Sequence, residues 1–251
     1  MIELWVVHLT LTLIRVAAFV AFLPPTTGRN LPQPVKIGVA MMLALFFGFN
    51  APIEPHPWLT RAGEQWLAFG ILGVRETCYG IGLAMCLGLM LMPARMAGAY
   101  IAQEMGLSIA TLTGPTDGQQ STLVGVLLET VAGLLFFSLN LHLAVISFLA
   151  ASFEHLAPGR GSLTLSPGWW LTGVTDSIEA GLLMAAPVGI VLMLTLLASL
   201  VLMRSVPQFN LFSVGMSVRL IAGLGAMLFF GPEIMVLLRQ SLFRVWSLVG
   251  V

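Results

Sequence analysis

Long apolar runs, separated by short breaks rich in proline and glycine, set the strongest limit on what this chain can fold into. A helix that crosses a bilayer core needs about 20 apolar residues. The run 121–153 is too long for one upright span, since its length at 1.5 Å per residue is about 50 Å, so it must tilt, extend beyond the lipid or break near Asn140 and His142. Pro93 either ends the third run or kinks it into the fourth. The pattern predicts an all-α, membrane-associated fold with apolar segments over 4–23, 35–49, 65–92, 94–113, 121–153, 178–203 and 211–230, and a tail helix from Glu233.

The composition excludes a soluble enzyme. Of the 251 residues, 58% are hydrophobic and only 9% are charged, whereas an ordinary soluble domain carries roughly 25% charged residues. So few charges cannot cover the surface of a core of this size, and lipid or partner subunits must supply the missing contacts. The eleven basic and eleven acidic residues are scattered singly. Without a basic stripe, nucleic acid is not expected as a partner.

Several apolar runs carry ionisable side chains far from their ends. Each such side chain would cost roughly 2.5–3.5 kcal/mol if it faced lipid. We therefore expect protein or water to cover much of the surface of these helices, with sibling subunits rather than acyl chains beside the charges. The residues concerned are Arg15, Arg75, Glu76, Glu104, Glu129 and Arg219.

The first candidate functional segment joins the end of the fourth apolar run to the loop that follows it. It begins with Gln103, Glu104 and Met105, followed by Gly106 and Leu107. Gln and Glu side chains are expensive in lipid but reasonable beside a cavity lined by water or protein. A tail rich in glycine and threonine suits a mobile element on a pore axis, although the residues alone also allow an external turn. The members of this segment in the loop are Thr111, Thr113, Gly114, Pro115 and Gly118.

The second candidate segment is a polar turn between two apolar runs, from Arg204 to Phe212. Pro207 cannot continue the hydrogen bonds of the preceding helix, so the chain turns there. Gln208 and Asn210 can bond the carbonyls and amides left open at the two helix ends. Arg204 favours the negative end of its helix. These residues predict a tight hairpin turn and imply no chemistry.

Two other functions are consistent with parts of the sequence. Ser108 and His142 could mimic the serine–histidine pair of an intramembrane protease, although Ala110 stands where such proteases commonly have glycine. Helices broken at Pro93 and Pro187 could frame the midplane site of a small-solute transporter, although no inverted repeat is detectable. The sequence contains no Walker loop, HExxH motif or complete dinucleotide fingerprint. No catalytic, cofactor-binding or metal-binding residues are therefore predicted.

The polar turn, continued by Gly215, Arg219 and Gly223, resembles the signature of the FliR/SctT family of type III protein-export gate subunits. Ser217 stands where that family usually has proline, and Arg219 where lysine is common. The run from Phe212 to Gly215 is nearer to the flagellar branch than to the injectisome branch. Further matches follow in order along nearly the whole chain: Arg15, the loop 24–32 with Gly28, Lys36, Glu76, Gly80, Gly82, Gly98, Gln103, Gly106, Leu107, Asn140, His142, Ser152, Phe153, Pro158, Ala186 and Pro187.

The resemblance implies a structural subunit without catalytic chemistry or cofactor. It implies one copy in a helical assembly with FliP-like and FliQ-like subunits, which docks an FlhB-like switch protein and works with an FlhA-like export protein. This assembly would lie in the bacterial inner membrane at the flagellar basal body and pass unfolded proteins. The equivalent SctT subunit of a virulence injectisome is the alternative.

The resemblance also implies an organisation of the chain into tilted helical hairpins that complete the gate, largely above the bilayer plane. Residues 1–157 would resemble the FliP-type subunit, residues 158–177 would form a Pro/Gly-rich linker, and residues 178–251 would form a FliQ-type hairpin with a tail helix. The loop at about 107–120 would plug the closed pore. Met105 would contribute to a deformable seal, since methionine is flexible, but simple packing explains it as well.

Overall fold

The structure is a computed structural model that describes residues 2–23, 32–50, 65–107, 123–159, 167–205 and 213–249. These described residues contain helices and no strand, which confirms the predicted all-α class. Five of the helices are long and apolar enough to cross a membrane, and one broken pair could add a sixth span. The helices are α1 (Ile2–Phe22), α2 (Gln33–Asn50), α3 (Gln65–Glu104), α4 (Leu123–Ser138), α5 (Leu141–His155), α6 (Pro167–Ser205) and α7 (Ser213–Val249).

Of the three possibilities for the run 121–153, the structure shows the break near Asn140. α4 ends at Ser138 and α5 begins at Leu141, and Asn140 between them has a left-handed backbone with a φ of 56°. Asparagine tolerates this conformation better than most residues other than glycine. The N–H of Leu143 donates to the carbonyl of Asn140 at 3.0 Å, which closes the first turn of α5.

Prolines end fewer helices than the sequence predicts. Pro93 lies inside α3, which is one continuous helix of 40 residues. α7 likewise continues through Pro232, so the prediction of a separate tail helix from Glu233 is wrong. α6 begins at Pro167, which places the second half of the predicted linker 158–177 in a helix. Proline suits that first helical position, because its missing N–H would have no helical acceptor there.

The chain divides into two compact units that are interleaved in sequence. Unit 1 contains α1, α2, α3 up to Gly88, and α5; unit 2 contains α3 from Leu89, α4, α6 and α7. This grouping rests on contacts within the chain. The division at 1–157, 158–177 and 178–251, which rests on likeness to neighbouring subunits, stays a prediction.

Within unit 1, α1 packs closely against α3 at Gly80. A Cβ atom at this position would lie 2.8 Å from the Cβ of Ala18, 2.9 Å from the backbone N of Phe19, and closer still to the carbonyl oxygen of Arg15. Two of these three atoms are backbone and cannot move aside. Gly80 therefore allows the two helices to approach at this point, as small residues do between apolar helices.

Within unit 2, glycines bring three helices against the second half of α3. At the contact with α4, a Cβ on Gly98 would lie 2.6 Å from the Cα of Gly125. At the contact with α6, a Cβ on Gly181 would lie 3.1 Å from the carbonyl oxygen of Pro93. At the contact with α7, a Cβ on Gly223 would lie 2.7 Å from the side chain of Met105. Small residues at helix contacts are typical of membrane helices.

A serine of α6 explains how α3 tolerates Pro93. Proline has no N–H, so the carbonyl of Leu89, four residues earlier, loses its helical donor. The buried hydroxyl of Ser177 lies 3.1 Å from that carbonyl oxygen and 2.7 Å from the carbonyl oxygen of Gly173 in its own helix. The single hydroxyl proton is shared between these two carbonyls, so Ser177 partly replaces the donor that Pro93 removes.

Candidate functional site

The polar centre of unit 1 is an ion pair between Arg15 of α1 and Glu76 of α3, whose side chains are both 0% exposed. The Nε atom of Arg15 donates to Oε2 of Glu76 at 2.6 Å. Two opposite charges at this distance largely neutralise each other, which allows both to lie in an apolar interior. Arg15 and Glu76 together therefore fasten α1 to α3.

The same two side chains also bind the end of α5. Nη1 of Arg15 donates to the carbonyl of Ser152 at 2.9 Å, and Nη2 donates to the carbonyl of Leu156 at 2.9 Å. Oε1 of Glu76 accepts the N–H of Gly159 at 2.9 Å. The carbonyl of Ser152 also accepts the N–H of Leu156 at 3.1 Å, so Arg15 gives it a second donor, and a cation is favoured at the negative end of a helix. The ion pair is thus a cap for α5 as well as a link between α1 and α3.

Aromatic rings enclose the guanidinium of Arg15. Its Cζ atom lies 5.3 Å from the ring centroid of Tyr79 and 4.6 Å from that of Phe153. Phe153 in turn stacks on Phe47 of α2, with 5.2 Å between the ring centroids. A cation over an aromatic face is stabilised more strongly where water is excluded. The Arg15 cluster therefore connects all four helices of unit 1.

The expectation that the mid-helix charges lie beside other subunits is wrong for Arg15, Glu76 and Glu129. Arg15 pairs with Glu76, and Glu129 of α4 pairs within unit 2 with Arg95 of α3, whose Nη2 atom lies 2.5 Å from its Oε1. These side chains are neutralised inside the chain, so they need no sibling subunit. For three other charged residues, a neighbouring subunit stays a prediction, because their side chains remain partly exposed: Arg75, Glu104 and Arg219.

The first candidate segment begins where α3 ends. Gly106 has a φ of 79°, its N–H donates to the carbonyl of Gln103 at 3.0 Å, and the N–H of Leu107 donates to the carbonyl of Ala102 at 3.0 Å. This pair of bonds, with a left-handed glycine, is the Schellman arrangement that ends many helices. Gln103 is exposed and Glu104 is partly exposed. The geometry therefore fixes where the chain leaves α3.

Met105 and Gly106 are held against α7. Met105 is 1% exposed, and its side chain lies over Gly223, where a Cβ atom would be 2.7 Å from its Cγ. The Cε atom of Met216 would lie 3.3 Å from a Cβ on Gly106. Met105 is therefore a packing residue within unit 2. Other predicted members of this segment, Thr111, Thr113, Gly114, Pro115 and Gly118, lie outside the described residues, as does Ser108.

The second candidate segment lies between α6 and α7. α6 ends at Ser205 and α7 begins at Ser213, on either side of the predicted turn. Arg204 is exposed in the last turn of α6, and Arg219 is partly exposed near the start of α7. Four of the predicted turn residues lie outside the described residues: Pro207, Gln208, Asn210 and Phe212.

Two functional contacts were not predicted from the sequence. The sequence points to Arg15 and Glu76 separately but not to their pairing, because they are 61 residues apart. The contact of Ser177 with Leu89 was also missed, although Pro93 signals that a carbonyl four residues earlier needs another donor. Within the described ranges, no cluster of three or more His, Cys, Asp or Glu residues could hold a metal ion.

Comparison with known proteins gives one family for almost the whole chain. The family of bacterial export proteins, family 1, matches residues 6–245. The chain is 31% identical to the flagellar biosynthetic protein FliR of Escherichia coli strain K12, over 99% of this chain and 94% of that protein. It is 29% identical to the FliR protein of Bacillus subtilis strain 168, over 84% and 80% of the two chains. It is 24% identical to the surface presentation of antigens protein SpaR of Salmonella typhimurium, over 87% and 81%. The chain therefore belongs to family 1 of the bacterial export proteins, the FliR/SctT family that its sequence motifs predict.

Proposed function

We propose that this chain is a structural, pore-forming subunit of the flagellar type III export gate, through which unfolded flagellar proteins cross the inner membrane. The observation that supports this most is the family match over residues 6–245. Relatives named FliR from several bacteria match most of the chain. The five long apolar helices agree with a protein that crosses the membrane several times.

Partner subunits would cover the apolar surface that the chain leaves open. Only 17% of the apolar stretch is buried within the chain in each of α6 and α7, against 56% in α3. Lipid or other apolar helices must cover the rest, because an isolated exposed apolar surface of this size is unfavourable in water. In this proposal the covering proteins include FliP-like and FliQ-like subunits, with FlhB-like and FlhA-like export proteins in the same machine at the basal body.

The segment at about 107–120 is proposed to plug the closed pore. The described end of α3 supports this indirectly, because Gly106 and Met105 fix the start of the segment against α7. Deletion of residues 114–119 should leave the gate assembled but permeable to ions, measured as conductance across membranes that contain the complex. A deletion variant whose conductance stays as low as that of the intact complex would contradict the plug.

The injectisome alternative rests on the match to SpaR. That identity is 24%, against 31% and 29% for two FliR relatives, which favours the flagellar system. Deletion of the gene in its host should abolish the export of flagellar filament protein and swimming, and a plasmid copy should restore both. Loss of injectisome secretion with normal swimming would select the SctT role.

Co-purification tests the assembly part of the proposal. An affinity-tagged chain should retain FliP-like and FliQ-like subunits after detergent extraction, whereas an unrelated tagged membrane protein should not. If the tagged chain restores swimming but is isolated alone and stable, the gate assignment is wrong. Unchanged export by a Ser108→Ala variant would exclude serine catalysis.

A further inference from the structure

Arg75 is a cation of α3 that lacks an acceptor among the described residues. Its Nε and Nη2 atoms are buried and make no hydrogen bond. It lies within the apolar stretch Trp66–Glu104 of α3. A guanidinium carries five N–H donors and does not lose its proton in proteins. A position of this kind is unfavourable until an acceptor reaches it.

The neighbouring carboxylate does not fill this role. Both oxygens of Glu76 are already engaged, Oε2 with Arg15 and Oε1 with the N–H of Gly159. Consecutive residues of a helix point about 100° apart, which directs Arg75 away from Glu76. The Arg15–Glu76 pair is neutral by itself. Arg75 is therefore an uncompensated positive charge beside a balanced cluster.

A second donor without a partner lies one turn further along α3. The hydroxyl of Tyr79 is buried and makes no hydrogen bond among the described residues, and the residue is 8% exposed. Residues four apart on a helix share a face and lie close together. The buried Tyr79 hydroxyl faces the interior of the chain, whereas Arg75 is partly exposed, so the guanidinium of Arg75 is the donor that a carboxylate from outside can reach.

The surface beside Arg75 is apolar and open. Ile71, one turn before Arg75, is 61% exposed, and its neighbour Val74 is 67% exposed. Cys78 is also exposed. An exposed apolar face that surrounds a single cation is complementary to an apolar helix that carries one acidic side chain.

We propose that Arg75 binds the Asp or Glu carboxylate of a membrane-embedded helix from another subunit, and that this helix seats on the face formed by Ile71, Val74 and Cys78. The proposal rests on the proposed function, because it requires a multi-subunit assembly. A helix fits better than a lipid headgroup, because Arg75 and the exposed apolar side chains beside it lie on one α-helical face.

Paired measurements on an Arg75→Met variant test this site. The variant keeps the length of the side chain and removes its charge. When the chain is produced without other gate subunits, its level in the membrane should equal or exceed that of the wild type, because a partly buried cation without an acceptor is gone. When it is produced with them, the yield of purified complex should fall about tenfold or more, as expected when one partner of a buried charge pair is removed.

Three further variants refine the result. Arg75→Lys keeps the charge without the fork of donors and should lose less complex than Arg75→Met. Tyr79→Phe should leave the complex yield near that of the wild type, because the Tyr79 hydroxyl is buried inside the chain. Arg239→Met is the matched control: Arg239 is an exposed arginine of α7 whose guanidinium already lies 5.8 Å from the ring centroid of its own Phe243. Its complex yield should equal that of the wild type.

A charge exchange identifies the partner. A photoreactive amino acid at position 74 should cross-link to a peptide of another gate subunit that contains Asp or Glu. Arg75→Glu should lose the complex, and a second change of that acidic residue to Arg should restore at least about half of the yield, since opposite charges are again paired. Restoration with the partner change and not without it supports the proposal.

Several outcomes would overturn it. An unchanged complex yield in Arg75→Met means that no partner uses the cation. Equal losses of chain level with and without partners mean that Arg75 acts only inside the chain. Cross-links to lipid alone, with a yield that depends on anionic lipid, assign the site to phosphate headgroups. If the wild-type chain itself retains no gate subunit, the proposed function fails, and that result is distinct from all of these.

Discussion

The two units of the molecule hold apolar helices together with a different balance of ion pairs and close glycine contacts. In unit 1, a fully buried arginine and glutamate bind α1, α3 and the end of α5 with directed hydrogen bonds. In unit 2, glycines of α3, α6 and α7 bring helix backbones close, and one serine bridges α3 and α6. Both kinds of contact occur in each unit, since Gly80 also brings α1 against α3 in unit 1 and Arg95 pairs with Glu129 in unit 2. The fully buried ion pair dominates unit 1, and close glycine contacts are more numerous in unit 2.

This difference determines how each unit should respond to mutation. Loss of one member of a buried ion pair leaves the other charge without compensation. Loss of a glycine contact has a cost that depends on whether the opposing atom can move. Unit 1 should therefore fail at a few residues with large effects, and unit 2 should show smaller effects spread over many positions.

The largest effect is expected in unit 1. Arg15→Met leaves Glu76 buried and unpaired, and it should lower the free energy of unfolding by roughly 3–5 kcal/mol. The denaturation midpoint of the detergent-solubilised complex and the level of chain in the membrane measure this. The double change Arg15→Met with Glu76→Leu should recover part of the loss. A single variant as stable as the wild type would show that the ion pair does not hold unit 1 together.

The next largest effect is expected at Gly98 in unit 2. A Cβ on this residue would meet the backbone of Gly125 at 2.6 Å, so Gly98→Ala should destabilise by roughly 1–3 kcal/mol. Gly88 of the same helix has no atom within 4 Å of such a Cβ, and Gly88→Ala should stabilise by roughly 0.5–1 kcal/mol. Thermal unfolding of both variants checks these opposite signs. Equal changes in stability for the two variants would mean that the close backbone contact at Gly98 does not determine the cost.

A smaller effect is expected for the serine bridge. Ser177→Ala leaves the carbonyl of Leu89 without its donor, which should cost roughly 1–2 kcal/mol. Pro93→Ala returns a backbone N–H to that carbonyl, so the same serine change should cost little in a Pro93→Ala chain. A double-mutant cycle on the unfolding free energy measures this coupling. Additive effects would mean that Ser177 does not replace the lost helical bond.

The smallest effect is expected at the end of α3. Gly106 has a left-handed backbone, so Gly106→Ala should cost roughly 1 kcal/mol, while Gly106→Asn should cost less because asparagine tolerates this conformation. Asn140 of unit 1 also has a positive φ, and Asn140→Gly should hardly change the stability. Unfolding midpoints of the three variants compare the two positions. If Gly106→Ala is as stable as the wild type, the left-handed backbone at this position does not strain a residue with a Cβ atom.

The length and spacing of the apolar runs predicted where helices occur more accurately than they predicted where the helices end. The apolar runs became helices, because their pattern is local, and the break near Asn140 was one of three possibilities that the length of its run allowed. Pro93 and Pro232 did not end their helices. At Pro93, the reason is a donor from α6, which no local pattern reveals.

The candidate sites were harder to predict than the fold. The sequence marks Arg15 and Glu76 as costly charges, but a pairing across 61 residues depends on the tertiary fold. Met105 was expected in a deformable seal, and within the described chain it packs on Gly223. Gln103, two residues earlier, is exposed, and its role in a pore stays a prediction. Family motifs, by contrast, identified the family from residue types and spacing alone.

The double contact of Ser177 has a mechanical consequence for α3. Its hydroxyl has a second acceptor in its own helix, the carbonyl of Gly173 at 2.7 Å, so movement of α6 away from α3 leaves only the carbonyl of Leu89 without a partner. α3 lacks one backbone hydrogen bond at Pro93. Its stiffness there therefore depends on the packing of α6 against it. Any force that displaces α6 therefore makes α3 more flexible near Pro93, so the 40-residue helix bends most easily at that residue.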